Sequence, residues 1–190
     1  RAEVERRLGG DPRPDLDHAS AFLRQALAIN PNYAYAWYNL AGTCRARATY
    51  LLEQGQDPTG ELAEARAAFA RGLAINPDVF WAYTERIETE LVAARWTIAT
   101  GGSPRDRLAA GRQALTTAIE LNPQAVEALV AGARLNLVQA EWELQEGRDP
   151  AASVRQGLSL VPRAPGITPG RSAATAVSGA LQGLLARRHS

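Results

Sequence analysis

The 190-residue chain has no methionine, no lysine, one cysteine and two histidines. A single Cys44 excludes an internal disulfide, and with two distant histidines it gives no zinc-ligand spacing. No apolar run reaches the roughly 18 residues that a transmembrane helix needs, and no signal peptide opens the chain. We therefore expect no metal, no cofactor and no membrane span, in a reducing, cytoplasmic setting.

The chain also lacks an excess of charge of either sign. All 21 basic residues are arginines, and they face 20 acidic residues for a formal net charge of +1. Bulk charge therefore gives no reason to expect nucleic acid or a membrane surface as a partner. Because residue 1 is not methionine, we interpret the chain as an excerpt from a larger protein.

What the sequence does contain is an internal repeat. The phrase LAINP occurs at 27–31 and 73–77, and IELNP follows at 119–123. Two series of prolines keep an interval of 46 residues: Pro12, Pro58, Pro104 and Pro150, and Pro31, Pro77, Pro123 and Pro169. Repeats at such a period are typical of stacked supersecondary units. The units lie near 11–56, 57–102 and 103–148, with a truncated copy at 149–161.

Each unit carries signals for two helices. An Asp or Ser before a proline, as in Asp57-Pro58, predicts the start of the first helix, and the residue before the next proline predicts its end near Asn30, Asn76 or Asn122. The second helix is expected from about Pro31 to Gln54 in the first copy. Its expected buried stripe is Tyr33, Trp37, Ala41, Cys44, Ala48 and Leu52. Gly55, Gly101 and Gly147 are expected to close these helices in a left-handed conformation.

The two ends of the chain depart from the repeat. Residues 1–10 are interpreted as the end of a preceding helix. The truncated copy lacks about seven residues, which predicts a short first helix, and residues 162–190 are expected to form a linker and a C-terminal capping helix. Val177, Ala180, Leu181 and Leu184 are expected to face inward on that last helix.

These residues resemble the tetratricopeptide repeats, whose pattern is W-x2-L-G-x2-Y, then A-x3-F, then P, at a period of 34. Trp37 and Leu40 match the first two positions, with Ala41 for Gly and Cys44 for Tyr. The small–large–small triplets are Ala19-Leu23-Ala26, Ala65-Phe69-Gly72 and Gly111-Leu115-Ala118. The longer period predicts helices extended by about 9 Å each. The resemblance implies an all-α, right-handed superhelical solenoid of antiparallel helix pairs.

No catalytic constellation stands out, and we expect no enzyme activity. His18 lies on a capped helix, His189 is next to the C-terminus, and Gly101-Gly102-Ser103 lacks the lysine of a phosphate loop. Cys44 is expected to be a small buried residue rather than a reactive thiol. Glu85, Glu88 and Glu90 are interpreted as charges on an exposed helix face.

The resemblance instead implies a concave groove on the second helix of each unit, with positions counted from the closing proline. These positions are Tyr35, Tyr38, Asn39, Gly42 and Arg45, then Trp81, Thr84, Glu85, Glu88 and Leu91, then Glu127, Val130, Ala131, Arg134 and Leu137. An aromatic end beside acidic and mixed positions suits a peptide with apolar anchors and some basic character. The alternative for Tyr35 and Trp81 is packing within the stack. The family's carboxylate clamp is not reproduced, because Tyr38 and Gly42 replace its lysine and asparagine.

The expected function is a non-catalytic interaction module for a protein or peptide. One alternative is self-association through open repeat ends, giving a homo-oligomer. Another is a regulatory tail of a larger enzyme, since phrases such as AEWELQEGRDP are similar to repeat tails of large bacterial signalling proteins, including Ser/Thr kinases.

Overall fold

The computed structural model describes residues 10–161 and 169–187. Within these residues every regular element is a helix and no strand occurs, which confirms the all-α class. The helices are α1 (Arg13–Ile29), α2 (Ala34–Glu53), α3 (Thr59–Ile75), α4 (Phe80–Ala99), α5 (Arg105–Leu121), α6 (Val126–Gln145), α7 (Ala151–Leu160) and α8 (Pro169–Arg187). Residues 1–9 of the helix end predicted at 1–10, the linker residues 162–168 and His189 lie outside the described residues.

Helix lengths follow the repeat. The odd-numbered α1, α3 and α5 have 17 residues each, and the even-numbered α2, α4 and α6 have 20 each. The truncated copy gives α7 only 10 residues, as its deletion predicts. None of the described helices has both the length and the apolar character that crossing a membrane requires.

The Asp-Pro turns start the odd-numbered helices as expected. The Oδ1 of Asp57 accepts a hydrogen bond from the backbone N–H of Thr59 at 2.9 Å, and Asp11 and Asp149 make the equivalent bond at 2.9 and 3.0 Å. Each carboxylate thus satisfies a backbone donor that has no partner within the helix.

The Asn-Pro turns end the odd-numbered helices, and asparagine has a role that the sequence interpretation missed. Asn30, Asn76 and Asn122 are extended residues directly after α1, α3 and α5. The Oδ1 of Asn76 accepts the backbone N–H of Asp78 at 3.2 Å, and the other two asparagines do the same. This Asx turn occupies the residues that follow, so α2 begins at Ala34. The expected start at Pro31 is wrong, and Tyr33, expected in the buried stripe, is exposed.

The even-numbered helices end at glycine, and this prediction is confirmed. Gly55, Gly101 and Gly147 have φ angles of 67°, 77° and 69°. After α2, the N–H of Gly55 bonds to the carbonyl of Leu52 at 3.0 Å, and that of Gln56 bonds to Leu51 at 2.8 Å. These paired bonds are a Schellman motif, which requires the left-handed residue.

Helix packing follows the chain order. The most extensive contacts join α2 to α3, α4 to α5 and α6 to α7. In addition, α2 contacts α4, α4 contacts α6, and α6 contacts α8. Each sequence unit, from its Asp-Pro or Ser-Pro turn to its closing glycine, contains one odd-numbered helix and the even-numbered helix after it. The most extensive contacts therefore join the second helix of one unit to the first helix of the next.

The last helix covers the end of the core. Val177, Leu181 and Leu184 of α8 are buried as predicted, together with Ala174, against α6 and α7. The expected burial of Ala180 is wrong: it lies at the edge of the buried stripe, about 100° around the helix from Leu181, and is exposed.

One charged residue lies in the core, contrary to its expected place on an exposed face. The Glu90 side chain of α4 is only 3% exposed. It accepts two hydrogen bonds from Arg66 of α3, at 2.7 and 2.9 Å, and Arg107 of α5 lies 3.9 Å away. Glu90 therefore joins three helices. A buried carboxylate is tolerated because its oxygens are paired with guanidinium groups.

We expect Arg66→Ala to lower the free energy of unfolding by about 3 kcal/mol, because it leaves Glu90 buried without its main partner. The matched control is Arg24→Ala, which breaks the half-exposed ion pair with Glu64 and is expected to cost less than about 1 kcal/mol. Urea unfolding followed by circular dichroism measures both. Equal losses for the two variants would contradict a structural role for the Glu90 pair.

Candidate partner-binding groove

The first turns of α2 and α4 bring two aromatic rings together. Tyr35 and Trp81 are one repeat interval apart in the sequence, and their rings stack with centroids 6.1 Å apart and planes at 28°. Tyr35 is 45% exposed and Trp81 is half-buried. The two residues therefore pack against each other and still present ring surface to solvent.

Tyr38 differs from its predicted place on the groove surface. It is 1% exposed, its hydroxyl donates to the backbone carbonyl of Asn76, and its ring lies edge-on to Trp81 with centroids 5.4 Å apart. Burial raises the pKa of its hydroxyl to about 12. The ring fits because residue 72 is glycine, where a Cβ would lie 2.5 Å from Cε1 of Tyr38. The expected exposure of Tyr38 is wrong, and the small residue of the triplet is the sequence signal for it.

Two ion pairs run between neighbouring even-numbered helices. Arg45 of α2 reaches Glu85 of α4 at 2.8 Å, and Arg134 of α6 reaches Glu88 of α4 at 2.8 Å. All four side chains are partly exposed. Since Glu85 and Glu88 already have partners, attraction of a basic partner falls mainly to Glu127. Among the described residues, Glu127 is exposed and has no ion pair.

The remaining predicted positions divide between surface and core. Asn39 is exposed and Gly42 is half-buried, as a groove surface requires. The positions that are buried, contrary to expectation, are Thr84, Leu91, Val130, Ala131 and Leu137. In the later copies Leu91 and Leu137 replace Arg45, and Ala131 replaces Asn39. These apolar residues belong to core clusters with the adjoining helices.

Cavities connect the predicted residues. One of about 390 Å³ spans α2, α4 and α6 and is lined by the two ion pairs and Glu127. A smaller one of about 270 Å³ lies beside Trp81 and Phe80, and a third of about 730 Å³ adjoins Tyr38 and Asn39. Of nine candidate residues, Tyr35, Tyr38, Asn39, Arg45, Trp81, Glu85, Glu88, Glu127 and Arg134, all except Tyr35 line at least one cavity. We call this set the partner groove.

A cluster on the other side of α2 has donor atoms of the type that metals bind. The Sγ of Cys44 and carboxylate oxygens of Glu61 and Glu64 lie within 4.8 Å of one another. Arg47 and Arg24 already pair with the two carboxylates, at 3.3 and 2.5 Å. Burial, and then the nearby Glu64 and Glu61, raise the pKa of Cys44 to about 12. A protonated thiol is a poor ligand, so the cluster fits a packed core better than a metal site.

In comparisons with known proteins, no family model matches the chain and no curated protein matches it significantly. The class of the molecule therefore follows from its own geometry, which is all-α in the described residues, with successive helices in contact.

Cys44 is expected to resist alkylation at pH 8 in the folded chain and to react readily in denaturant. The raised pKa keeps the thiol neutral, and burial blocks the reagent. Its pKa rises from an ordinary value of 9.0, so its contribution to stability is present at neutral pH and is lost above about pH 9. Mass spectrometry after timed iodoacetamide treatment measures the rate of alkylation of Cys44. Fast labelling of the folded chain would contradict the prediction.

Tyr38→Ala is expected to lower the free energy of unfolding by about 4 kcal/mol, because it opens a cavity and removes a hydrogen bond. Tyr35→Ala, one helical turn away and half-exposed, is the control and is expected to cost less than about 1 kcal/mol. Thermal and urea unfolding measure the two losses. Similar losses of stability in the two variants would contradict a core position for Tyr38.

Proposed function

We propose that the chain is a non-catalytic protein-interaction module, built as a right-handed superhelical solenoid of tetratricopeptide-like helix pairs. Its support is the alternation of 17- and 20-residue helices at the repeat interval, and the contact of each even-numbered helix with the next. A stack of this kind presents an extended surface along its even-numbered helices. A reducing cytoplasm suits its single, buried and unpaired cysteine.

The observation that carries the proposal is the convergence of side chains from three helices on cavities that share lining residues. Arg45, Glu88 and Arg134 are held by ion pairs, and Trp81 is held by its stack with Tyr35. A partner would therefore meet side chains that are already positioned. Affinity then need not offset the cost of ordering the receptor.

The chemistry of the surface favours a peptide or protein with an apolar or aromatic anchor. Tyr35 and Trp81 offer ring faces to such a side chain, and aromatic residues of this kind commonly dominate binding energy. Glu127, 46 residues after Trp81, is the acidic group that remains available for a neighbouring basic residue. The ion pairs Arg45–Glu85 and Glu88–Arg134 hold polar groups at fixed positions on this surface. Because each pair is neutral overall, they add little net electrostatic field.

Two alternatives concern how the module is used. A regulatory tail of a larger bacterial signalling enzyme, such as a Ser/Thr kinase, would use the same groove. Self-association would use α1, where Phe22 and Ile29 are 72% and 87% exposed. Two large apolar side chains on one helix favour contact with another helix.

We expect the double variant Tyr35→Ala, Trp81→Ala to weaken peptide binding by about thirtyfold, as for loss of a central aromatic anchor. Ligands are selected from a random peptide library, and dissociation constants are measured by calorimetry. The selected peptides are expected to contain a recurrent aromatic or large aliphatic residue.

The matched control is Trp96→Ala, which removes the same ring type about four turns further along α4 and outside the partner groove. It is expected to bind like the unaltered chain. Circular dichroism monitors folding of all variants. If the folded double variant binds with unchanged affinity, the partner groove is not the binding site. If Trp96→Ala weakens binding as much as the double variant does, binding is not localised at Tyr35 and Trp81.

A further inference from the structure

A cavity of about 730 Å³ lies between α1 and α2 and is mostly apolar. Its lining includes Leu16, Phe22 and Leu23 of α1 and Asn39, Thr43 and Ala46 of α2. We call it the α1–α2 groove. It shares Arg45 and Glu85 with the cavity of the ion pairs, and it overlaps the partner groove, since Tyr38, Asn39 and Trp81 line it as well.

The repeat shows what occupies the equivalent place further along the chain. Two repeat intervals later, the lining residues become Leu108, Ala114 and Leu115 of α5 and Ala131, Leu135 and Val138 of α6. These six residues form one hydrophobic cluster with Ile87, Leu91 and Ala94 of α4. The groove between α5 and α6 is therefore filled by α4.

The same holds one interval after the α1–α2 groove. Ala48 of α2 shares a core cluster with Leu62 of α3 and Val92 of α4, and Cys44 of α2 shares one with Ala68 of α3. The groove between α3 and α4 is thus filled by α2. Each groove of this type receives the 20-residue helix that precedes its two walls.

Exposure separates the α1–α2 groove from its two copies. Ala68 and Ala114 are each 3% exposed, whereas their counterpart Phe22 is 72% exposed. Phe22 is also the largest of the three side chains, so a helix that covers it needs a small residue opposite. Leaving a phenylalanine in water forgoes a favourable burial that both copies achieve.

The sequence before α1 matches the ends of the helices that fill the other grooves. Ala2 stands in register with Ala48, Ala94 and Ala140, all fully buried. Gly9 stands in register with the three left-handed glycines that close α2, α4 and α6. An Asp-Pro turn follows Gly9, Gly55 and Gly147, and Ser103-Pro104 takes its place after Gly101.

We propose that the α1–α2 groove is the docking site for a further α-helix of the same polypeptide, which has the residue pattern of α2, α4 and α6 and ends with residues 1–7. This helix leads directly into α1 through the glycine and Asp-Pro turn. Its small residues face α1, and it covers Phe22, Leu16 and Leu23. The proposal does not depend on the partner groove, since it concerns folding of the chain onto itself.

The test completes that helix. Residues 1–7 are in register with 47–53, so a copy of 13 residues, Phe80–Val92 of α4, is placed before residue 1. The copy carries Glu90→Ala, because α1 has Asp15 where α5 has Arg107, the partner of the buried Glu90. The α4 sequence is chosen because Ala118 of α5 corresponds to Ala26 of α1, whereas Tyr38 in an α2 copy would need a glycine there. The control extension contains the same residues in scrambled order.

The extended chain is expected to melt about 4 °C or more above the scrambled control, as for burial of a large apolar side chain in a chain of this size. Hydrogen exchange is expected to slow at residues 13–29 only with the ordered extension. Phe22→Asp should cancel both gains while changing the unextended chain little, because Phe22 is exposed there.

A second variant of the chain controls for steric crowding between Phe22 and the added helix. Phe22→Ala reproduces Ala68 and Ala114, and the ordered extension is tested on it as well. Absence of a melting or exchange difference between ordered and scrambled extensions in both backgrounds would overturn the proposal. So would a dimer, detected by sedimentation, that requires Phe22 and persists in the extended chain, because a second copy would then occupy the groove.

Discussion

The structure depends on turns that are closed by side chain and backbone hydrogen bonds at fixed intervals. Asn76 ends α3 and bonds to Asp78, Gly101 ends α4 in a left-handed conformation, and each Asp-Pro turn bonds to the residue two positions on. These local bonds fix helix length without reference to packing. Since helices of constant length return at 46-residue intervals, each apolar face meets the same kind of neighbour. The succession of core clusters along the chain follows from that regularity.

Charge has a structural role before it has a binding role. Glu90 lies between Arg66 and Arg107, and the partner groove adds the pairs of Glu85 with Arg45 and Glu88 with Arg134. Every one of these pairs joins two different helices. Partly exposed pairs contribute little to stability individually. Their main effect is to fix long side chains, so that the surface between the aromatic stack and Glu127 has one arrangement of polar groups.

Local signals in the sequence predicted the helices well and their partners less well. Proline, asparagine and glycine act on their own neighbours, so the helix ends near Asn30 and the closure at Gly55 followed from pattern alone. Tyr38 and Glu90 depend on residues far along the chain. The ring of Tyr38 needs the space at Gly72, and a glutamate on a helix gives no local sign that an arginine 24 residues away will meet it.

The two proposed surfaces overlap, and Trp81 is one of the residues that they share. Its ring lines both the α1–α2 groove and the small cavity beside Phe80, and Glu85 lines both as well. A helix docked on Phe22 would therefore add a wall beside the aromatic stack. Trp81 would lose solvent exposure on that side and keep it on the side of Glu127. A partner that reaches Trp81 from the α6 side would then meet a deeper and more rigid cleft. Completion of the helix row and strength of partner binding are thus coupled through the side chains that both surfaces share, Trp81 and Glu85 among them.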